Sequence, residues 1–241
     1  RTDSDLGQAY IEAMQLAGEY AYAGRDVEVA KVLDILGAEP RYAVHNHHNY
    51  VWEEEHFGEK FWVVRKGCTP AQPGQKGFVG ATMGEQSVIL EGTETGGEAL
   101  FSTVHGAGRG MSRTEAAGKH RTMAVCSDRD CEYMKPWKQY RAETEGLRPD
   151  QIVFCSNHPN NRALRRRVRT REGAIDWEAV KIDLNLKRIY LRGGAADEAP
   201  AAYKRLDEVL AAQGDTIRVL HRLTPIGVAM ADADTYDPWK D

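Results

Sequence analysis

The sequence predicts an α+β protein, a mixed α/β core of sheets with surrounding helices. Three observations lead to this prediction. Apolar residues recur at helical spacing near the start of the chain, short runs of β-branched and aromatic residues follow, and glycines are concentrated in the middle. The 241 residues, 41% hydrophobic and 28% charged, are enough to bury a core and are not typical of a disordered chain.

Two helices are predicted at the start of the chain, over residues 5–23 and 26–36. Apolar side chains follow a helical period in the first segment, and Asp3 or Ser4 is available as its cap. Gly37 follows the second segment, where a glycine commonly ends a helix.

Strands and one further helix are predicted in the rest of the chain. Aromatic and β-branched residues predict a strand at 59–67, and further strands are expected at 87–94 and 99–106. Residues 197–214 are expected to form a helix, and 216–230 a closing pair of strands.

Residues 119–173 differ in composition and are interpreted as an inserted basic subregion, within a core formed by 1–118 and 174–241. They hold three of the four cysteines. They also carry six closely spaced arginines, which are Arg162, Arg165, Arg166, Arg167, Arg169 and Arg171.

The chain is expected to act in a reducing cytoplasm and not at a membrane. A protein of this size needs no disulfides, and nothing in the sequence is typical of secretion. No apolar run reaches the roughly 20 residues of a membrane span. The first residue, Arg1, suggests processing or an unseen upstream portion.

The segment STVHGAGRGMSR has the residue types of a phosphate site. Small residues after His105 leave the backbone uncrowded, so that several N–H groups can turn toward one anion. Arg109 can clamp phosphate oxygens, and imidazole is a nucleophile toward phosphorus. A phosphoryl or nucleotidyl acceptor and a plain strand end with a turn both fit this spacing.

Four of the eight histidines lie in VHNHHNYVWEEEHFGE. Displacement at phosphorus usually needs a divalent ion, and imidazole suits manganese, iron or zinc. In a strand, His45 and His47 would share a face and His48 would oppose them. Each of these histidines, taken alone, is also compatible with an ordinary surface or core position.

A second group of metal-ligand types lies in CSDRDC and CSNHP. Cys126, Cys131, Cys155 and His158 could form a closed tetrahedral zinc site. The spacings are looser than in common zinc motifs, and free buried or surface thiols remain the alternative.

Several segments, in their order along the chain, resemble the RtcB family of RNA-splicing ligases. They are HNHHNYVWEEEHFGE, VVRKGCTPAQPGQKG, GATMGEQSVIL, STVHGAGRGMSR and DEAPAAYKRLDEVLAAQGDTIRVLHRLTPIGV. The resemblance covers residues 6–118 and about 175–230, and the HGAGR-x-x-SR run is highly specific.

The resemblance implies a GTP- and manganese-dependent ligase that joins an RNA 3′-phosphate, or a 2′,3′-cyclic phosphate after hydrolysis, to a 5′-hydroxyl. His105 would accept GMP and pass it to the RNA 3′-phosphate, which the 5′-hydroxyl then attacks. Transfer-RNA splicing and RNA repair need the same chemistry. The RNA, the oligomeric state and the use of an archease-type activator stay open.

The resemblance also implies roles for individual residues. Guanylate binding falls to Asn49, Gly80, Ala81, Thr82, Met83, Ser87, Gly106, Ala107, Gly108 and Lys240. Phosphate or RNA binding falls to Lys66 and Arg109, and one metal ligand to His48. The arginine run is expected to contact RNA, with a solvated basic helix face as the alternative.

One departure from the family pattern concerns the metal. The family's upstream half carries an aspartate, a cysteine and a further histidine as ligands, and the sequence has no counterpart of them. His48 alone cannot hold two manganese ions, so the chain looks like the C-terminal portion of a ligase. The alternatives are a catalytically incomplete RNA-binding or regulatory fragment and a different histidine-dependent nucleotidyl transferase.

Overall fold

The computed structural model describes residues 1–232 and combines five α-helices with several small sheets, so the predicted α+β class is confirmed for these residues. Each helix in this part of the chain is too short or too polar to serve as a membrane span. Lys240, the predicted guanine contact, lies outside the described residues.

A single long helix, α1 (Asp5–Leu36), forms the start of the chain. Ser4 caps it, its hydroxyl accepting a hydrogen bond from the N–H of Gly7 at 3.1 Å, and Gly37 ends it at a φ of 59°. The prediction of two separate helices was wrong. Gly24 has no neighbour near its Cα, and a glycine inside a helix costs only about 1 kcal/mol, which does not break it.

The predicted strand at 59–67 is confirmed as part of a hairpin. Strands β1 (Asn49–His56) and β2 (Glu59–Lys66) pair antiparallel, with Asn49 opposite Lys66. Phe57 and Gly58 form the turn, both at positive φ, which matches the right-handed twist of the strands. Residues 45–47 precede β1 and belong to no strand. The expectation that His45 and His47 share one face of a strand therefore does not hold.

Two further sheets form the centre of the molecule. Strand β3 (Cys68–Pro70) pairs with β6 (Ser102–Val104). Strands β4 (Lys76–Val79) and β5 (Ser87–Gly92) pair with each other, and β5 also pairs with a later strand. The strands predicted at 87–94 and 99–106 are confirmed in β5 and β6. The core on this sheet consists of Val79, Val88, Leu90, Ala107, Leu206, Leu210 and Ile217.

Residues 113–194 begin with the short helix α2 (Arg113–Ala117) and contain a sheet of their own. Strand β7 (Lys119–Cys126) lies at its centre, between β8 (Met134–Pro136) and β9 (Ala163–Arg171). Helix α3 (Trp137–Thr144) packs on this sheet.

The sheet formed by β7, β8 and β9 draws all its strands from residues 119–173, whereas the division into core and insertion stays a prediction. Most of the arginine run lies on strand β9, so the expected helix is wrong, but a solvated basic face stays an alternative because these arginines are exposed and Arg169 pairs with Glu172 at 2.9 Å.

The chain continues with α4 (Trp177–Leu186) and β10 (Tyr190–Gly194). The helix expected at 197–214 was wrong over its first half, because Pro200 has no N–H and two 3₁₀ turns, Ala196–Glu198 and Pro200–Ala202, take its place. Only α5 (Leu206–Ala212) is α-helical.

The two last strands exist but do not form the predicted closing pair. Strand β11 (Ile217–Leu223) pairs antiparallel with β5, and β12 (Gly227–Asp232) pairs in parallel with β10. Each therefore joins a strand that lies far back in the sequence.

Candidate active site

Two glycine-bearing loops meet at the candidate site. One follows β4 and begins at Gly80, and the other follows β6 and begins at His105. The N–H of Gly80 donates to the carbonyl of His105 at 3.2 Å, and Gly80 and Gly106 form an isolated bridge. A Cβ on Gly106 would lie 3.4 Å from the Gly80 carbonyl oxygen, so the glycine permits this close approach.

These loops line a cavity of about 800 Å³, called here the histidine cavity. Ten of the predicted site residues lie in its wall: Gly80, Ala81, Thr82, Met83, Ser87, His105, Gly106, Ala107, Gly108 and Arg109. The volume falls within the range of about 300–1,000 Å³ that small-molecule sites usually have. The structure therefore brings together residues that the sequence separates by up to 29 positions.

The first loop is held by its own side chains. The hydroxyl of Ser87 accepts a hydrogen bond from the N–H of Ala81 at 3.1 Å, and Thr82 donates to the carboxylate of Glu85 at 3.0 Å. Met83 is buried in a separate apolar cluster with Leu184. Its side chain therefore anchors the loop to helix α4.

His105 is exposed at this cavity and contacts His48 on its other side. The two imidazole rings stack, with centroids 4.6 Å apart and planes inclined by 16°. Partial burial of the ring lowers the pKa of His105 below its ordinary value, and the positive charge of a protonated His48 lowers it further. His105 is consequently a free base at neutral pH, with a lone pair available on the ring.

Asn49, Lys66 and His48 lie beside His105 but not in the cavity wall. Gly67 connects them, because its N–H donates to the carbonyl of His48 at 2.8 Å and to the side-chain oxygen of Asn49 at 3.2 Å. A Cβ on Gly67 would lie 3.8 Å from the His105 ring. Lys66 is exposed and directly precedes Gly67, which places it at the edge of the site.

Arg109 is held by the protein itself at the cavity wall. Its guanidinium group donates to the hydroxyl of Tyr203 at 2.8 Å, to the Asp197 carbonyl at 2.6 Å and to the Met111 carbonyl at 3.2 Å. The Tyr203 hydroxyl donates in turn to Glu198. Burial and this carboxylate raise the pKa of Tyr203 to about 12, so its hydroxyl stays protonated.

Sequence reasoning missed Glu85, Arg113, Glu198 and Tyr203 in this cavity. Glu85 lies inside the recognised GATMGEQSVIL segment and could have been found there. The other three also lie inside recognised segments, Arg113 at the end of STVHGAGRGMSR and the other two in the segment that begins at residue 197. No role was assigned to them, and Glu198 and Tyr203 lie in or next to 3₁₀ turns where a helix was predicted. Arg113 forms ion pairs with Glu198 and, at 2.7 Å, with Asp197.

The remaining histidines of the cluster have structural positions. His45 and His47 pack on Tyr22 of helix α1, with ring centroids 3.9 and 4.0 Å away. Burial and nearby cations lower the pKa of His47 to about 4, so it is neutral at pH 7. His56 is buried and contacts Glu54 at 2.8 Å. Only His48 of this group reaches the candidate site.

The histidine cavity does not contain a complete metal site within residues 1–232. The single group of three or more potential metal ligands in this part of the chain is Cys126, Cys131, Cys155 and His158. Near His105 the structure supplies the imidazole of His48, and the carboxylates of the cavity wall, Glu85 and Glu198, form no group of three or more close ligands with it. One imidazole does not fit the several ligands that manganese requires.

A second cavity of about 830 Å³, called here the basic cavity, lies beside strand β9. Its wall includes Arg113, which also lines the histidine cavity. Further cationic or titratable residues and one indole contribute to it: Lys119, His120, Arg167, Arg169, Trp177 and the carboxylate of Asp197, which pairs with Arg113. Of the six arginines in the run, two therefore line a cavity that adjoins the candidate active site.

The fold and the site define an α+β protein with an exposed histidine at a glycine-lined cavity of about 800 Å³. A family model described as tRNA-splicing ligase RtcB matches residues 1–139, more than half of the sequence. The chain belongs to the RtcB family.

Curated relatives agree with this assignment. The chain is 29% identical to the RNA-splicing ligase RtcB of Escherichia coli (strain K12), across 90% of this chain and 42% of that protein. It is 29% identical to the RNA-splicing ligase RtcB of Mycobacterium bovis, across 92% and 44%. For the tRNA-splicing ligase RtcB of Pyrococcus furiosus the identity is 28%, across 94% and 21%. The chain thus spans less than half the length of these relatives.

Proposed function

We propose that this chain forms the nucleotide-accepting part of a GTP-dependent RNA ligase, with His105 as the residue that carries guanylate. The observation that supports the proposal best is the neutral, exposed imidazole of His105 at a cavity walled by two glycine-bearing loops. The names of the relatives, RNA-splicing and tRNA-splicing ligases, agree with it.

The proposed reaction has three displacements at phosphorus. An imidazole nitrogen of His105 attacks the α-phosphorus of GTP, forms a P–N bond and releases pyrophosphate. An oxygen of the RNA 3′-phosphate then attacks the same phosphorus, and the histidine leaves. The RNA 5′-hydroxyl finally attacks the activated 3′-phosphate, forms the phosphodiester bond, loses its proton and releases GMP.

The histidine cavity offers suitable groups for the first step. The lowered pKa of His105 keeps a lone pair on its ring free of a proton at neutral pH. Gly106 and Gly108 leave the backbone N–H groups of their loop uncrowded, so that these can approach phosphate oxygens. Arg109 contributes a fixed positive charge, and its fork retains N–H groups beyond the three hydrogen bonds it makes.

The proposal includes manganese as the divalent ion. His48 would supply one ligand next to His105, and a complete site needs ligands beyond those that residues 1–232 bring there. We therefore assign the ion no step in the reaction. What the chain itself contributes is the stacked imidazole pair and the cavity.

The proposed partner is RNA with a 3′-phosphate and a 5′-hydroxyl end. The basic cavity adjoins the histidine cavity through Arg113, so a strand bound there would lead toward His105. Arg167 and Arg169 would bind its phosphates, and the indole of Trp177 offers a face for one base.

All four cysteines are free thiols, which agrees with the proposed cytoplasmic location.

The test is covalent labelling with GTP that carries the label at its α-phosphate. The full chain is incubated with Mn²⁺, alone and with the upstream half of the Escherichia coli relative, and ATP, CTP and UTP are run in parallel. Of the four nucleotides, only GTP is expected to label the chain. The label should be lost in His105→Ala and kept in the control His221→Ala. Label from all four nucleotides would favour a different nucleotidyl transferase, and no label in either condition would remove the proposal.

A further inference from the structure

Three cysteines and a histidine that are distant in the sequence converge at one end of the sheet formed by β7, β8 and β9. The ligand atoms of Cys126, Cys131, Cys155 and His158 all lie within 4.8 Å of one another. The sulfurs of Cys131 and Cys155 are 3.5 Å apart, and Nδ1 of His158 lies 3.8 Å from Cys155 and 4.0 Å from Cys126. We call these four residues the Cys₃His cluster.

The distances in the cluster suit one tetrahedral metal ion. Zinc–sulfur bonds of about 2.3 Å place two sulfurs of a tetrahedral site about 3.8 Å apart. Three thiolates and one imidazole are also among the common ligand sets of structural zinc. We propose that the Cys₃His cluster binds one zinc ion in a closed, structural site.

The surroundings of the cluster orient its ligands. Nε2 of His158 points to the carboxylate of Asp128 at 3.7 Å, which leaves Nδ1 for the metal, and such a carboxylate partner is typical of zinc-bound histidine. The side-chain amide of Asn161 donates to the sulfur of Cys126 at 3.8 Å. Hydrogen bonds of this kind stabilise a thiolate, the form that binds zinc.

The sheet has a physical need for such a site. Its hydrophobic cluster contains four buried residues, of which two are ligands themselves: Ala124, Cys126, Phe154 and Cys155. A core this small stabilises a sheet weakly, and small units of this kind usually depend on disulfides or a metal. The cysteines form no disulfide, so a metal ion held by the cluster would add stability to that of the aromatic residues packed on it, Trp137 and Tyr140.

The ion would also connect a long loop to the arginine-bearing strand. Cys155 and His158 lie in the segment 145–162, which has one short 3₁₀ turn as its regular structure. Cys126 ends β7 directly opposite Ala163, the first residue of β9. Zinc would therefore fix both this loop and the start of β9. The inference does not depend on the proposed ligase function.

The first test is the metal content of the full chain, purified without a histidine tag or chelator. Inductively coupled plasma mass spectrometry is expected to find one zinc ion per chain. Exchange of zinc for Co²⁺ should give the d–d absorption of a tetrahedral site and a thiolate-to-cobalt charge-transfer band. The absence of stoichiometric zinc together with failure to take up Co²⁺ in this form would overturn the proposal, and neither measurement needs a variant that folds.

The second test compares matched variants. Cys155→Ser and His158→Ala should lose zinc and increase hydrogen exchange in residues 119–171 by at least about tenfold, because the loop is released. The controls Cys68→Ser and His221→Ala alter a cysteine and a histidine outside the cluster and should keep the metal. Unchanged zinc content in Cys155→Ser, or equal loss in Cys68→Ser, would contradict the assignment.

Discussion

The imidazole rings of His48 and His105 stack face to face, 4.6 Å between centroids, although they belong to different loops. His48 lies in the bend before strand β1, and His105 directly follows β6. Two different contributions of His48 follow from this contact. Its ring packs on that of His105, and under the proposed function its nitrogen would supply one ligand to a cation.

Substitution of His48 separates these two contributions. His48→Phe keeps an aromatic ring for the stack but has no nitrogen, whereas His48→Ala removes both. GTP labelling of His105 is expected to fall by at least about tenfold in both variants, because both lack the nitrogen that the proposed function needs. Wild-type labelling in His48→Phe with loss in His48→Ala would show that stacking alone matters.

Glu54 of β1 forms an ion pair with the buried Arg65 of β2, with two hydrogen bonds of 2.7 and 2.8 Å. Burial raises the pKa of Glu54, but hydrogen bonds from Arg65 and His56 outweigh it and hold the pKa below its ordinary value. Because the folded-state pKa is the lower one, the pair stabilises the fold above about pH 4.5, and this contribution is lost as the pH falls further.

Glu54→Gln is expected to lower the free energy of unfolding by about 3–5 kcal/mol at pH 7, since buried Arg65 loses its countercharge and keeps only the neutral acceptors of Ser102 and Leu100. The difference from wild type should narrow below about pH 4.5. Urea unfolding across this pH range measures it. The exposed neighbour Glu55→Gln serves as control and should change stability by less than about 0.5 kcal/mol. A cost for Glu54→Gln that does not depend on pH would contradict this account.

Two glycines should respond in opposite directions to the same substitution. Gly24 lies inside helix α1 with open space around its Cα, so Gly24→Ala should raise the free energy of unfolding by about 0.5–1 kcal/mol. Gly108 has a φ of 75°, and Gly108→Ala should lower it by about 1–2 kcal/mol. Denaturant unfolding measures both. A destabilised Gly24→Ala would mean that the helix is interrupted there.

The basic cavity predicts a salt-dependent contact with RNA. Replacing Arg167 and Arg169 by glutamine should reduce the slope of log affinity against log salt by about 0.7 for each phosphate that the protein no longer neutralises. Fluorescence anisotropy with a single-stranded RNA measures the slope. Arg141 and Arg148, exposed and outside this cavity, provide a control of equal charge change. The same slope in both double variants would exclude strand β9 as a specific contact.

The family resemblance, together with short local patterns, brought out residues that share one cavity, whereas the pairing of the strands around it was predicted less well. The glycines next to His105 and the turn at Gly80 are short-range features of the sequence, and both lie in the wall of the histidine cavity. By contrast, β12 pairs with β10 in parallel, a long-range contact without a local pattern. Pro200 breaks the predicted helix, and this break allows Tyr203 to reach Arg109.

The most direct measurement is to identify the residue that carries the nucleotide after incubation with GTP and Mn²⁺. The incubation includes the upstream half of the Escherichia coli relative. The chain is then digested under alkaline conditions that preserve a P–N bond, and the modified peptide is sequenced by tandem mass spectrometry. GMP on His105 is the predicted result. GMP on Lys66, or on any residue other than His105, would contradict the account.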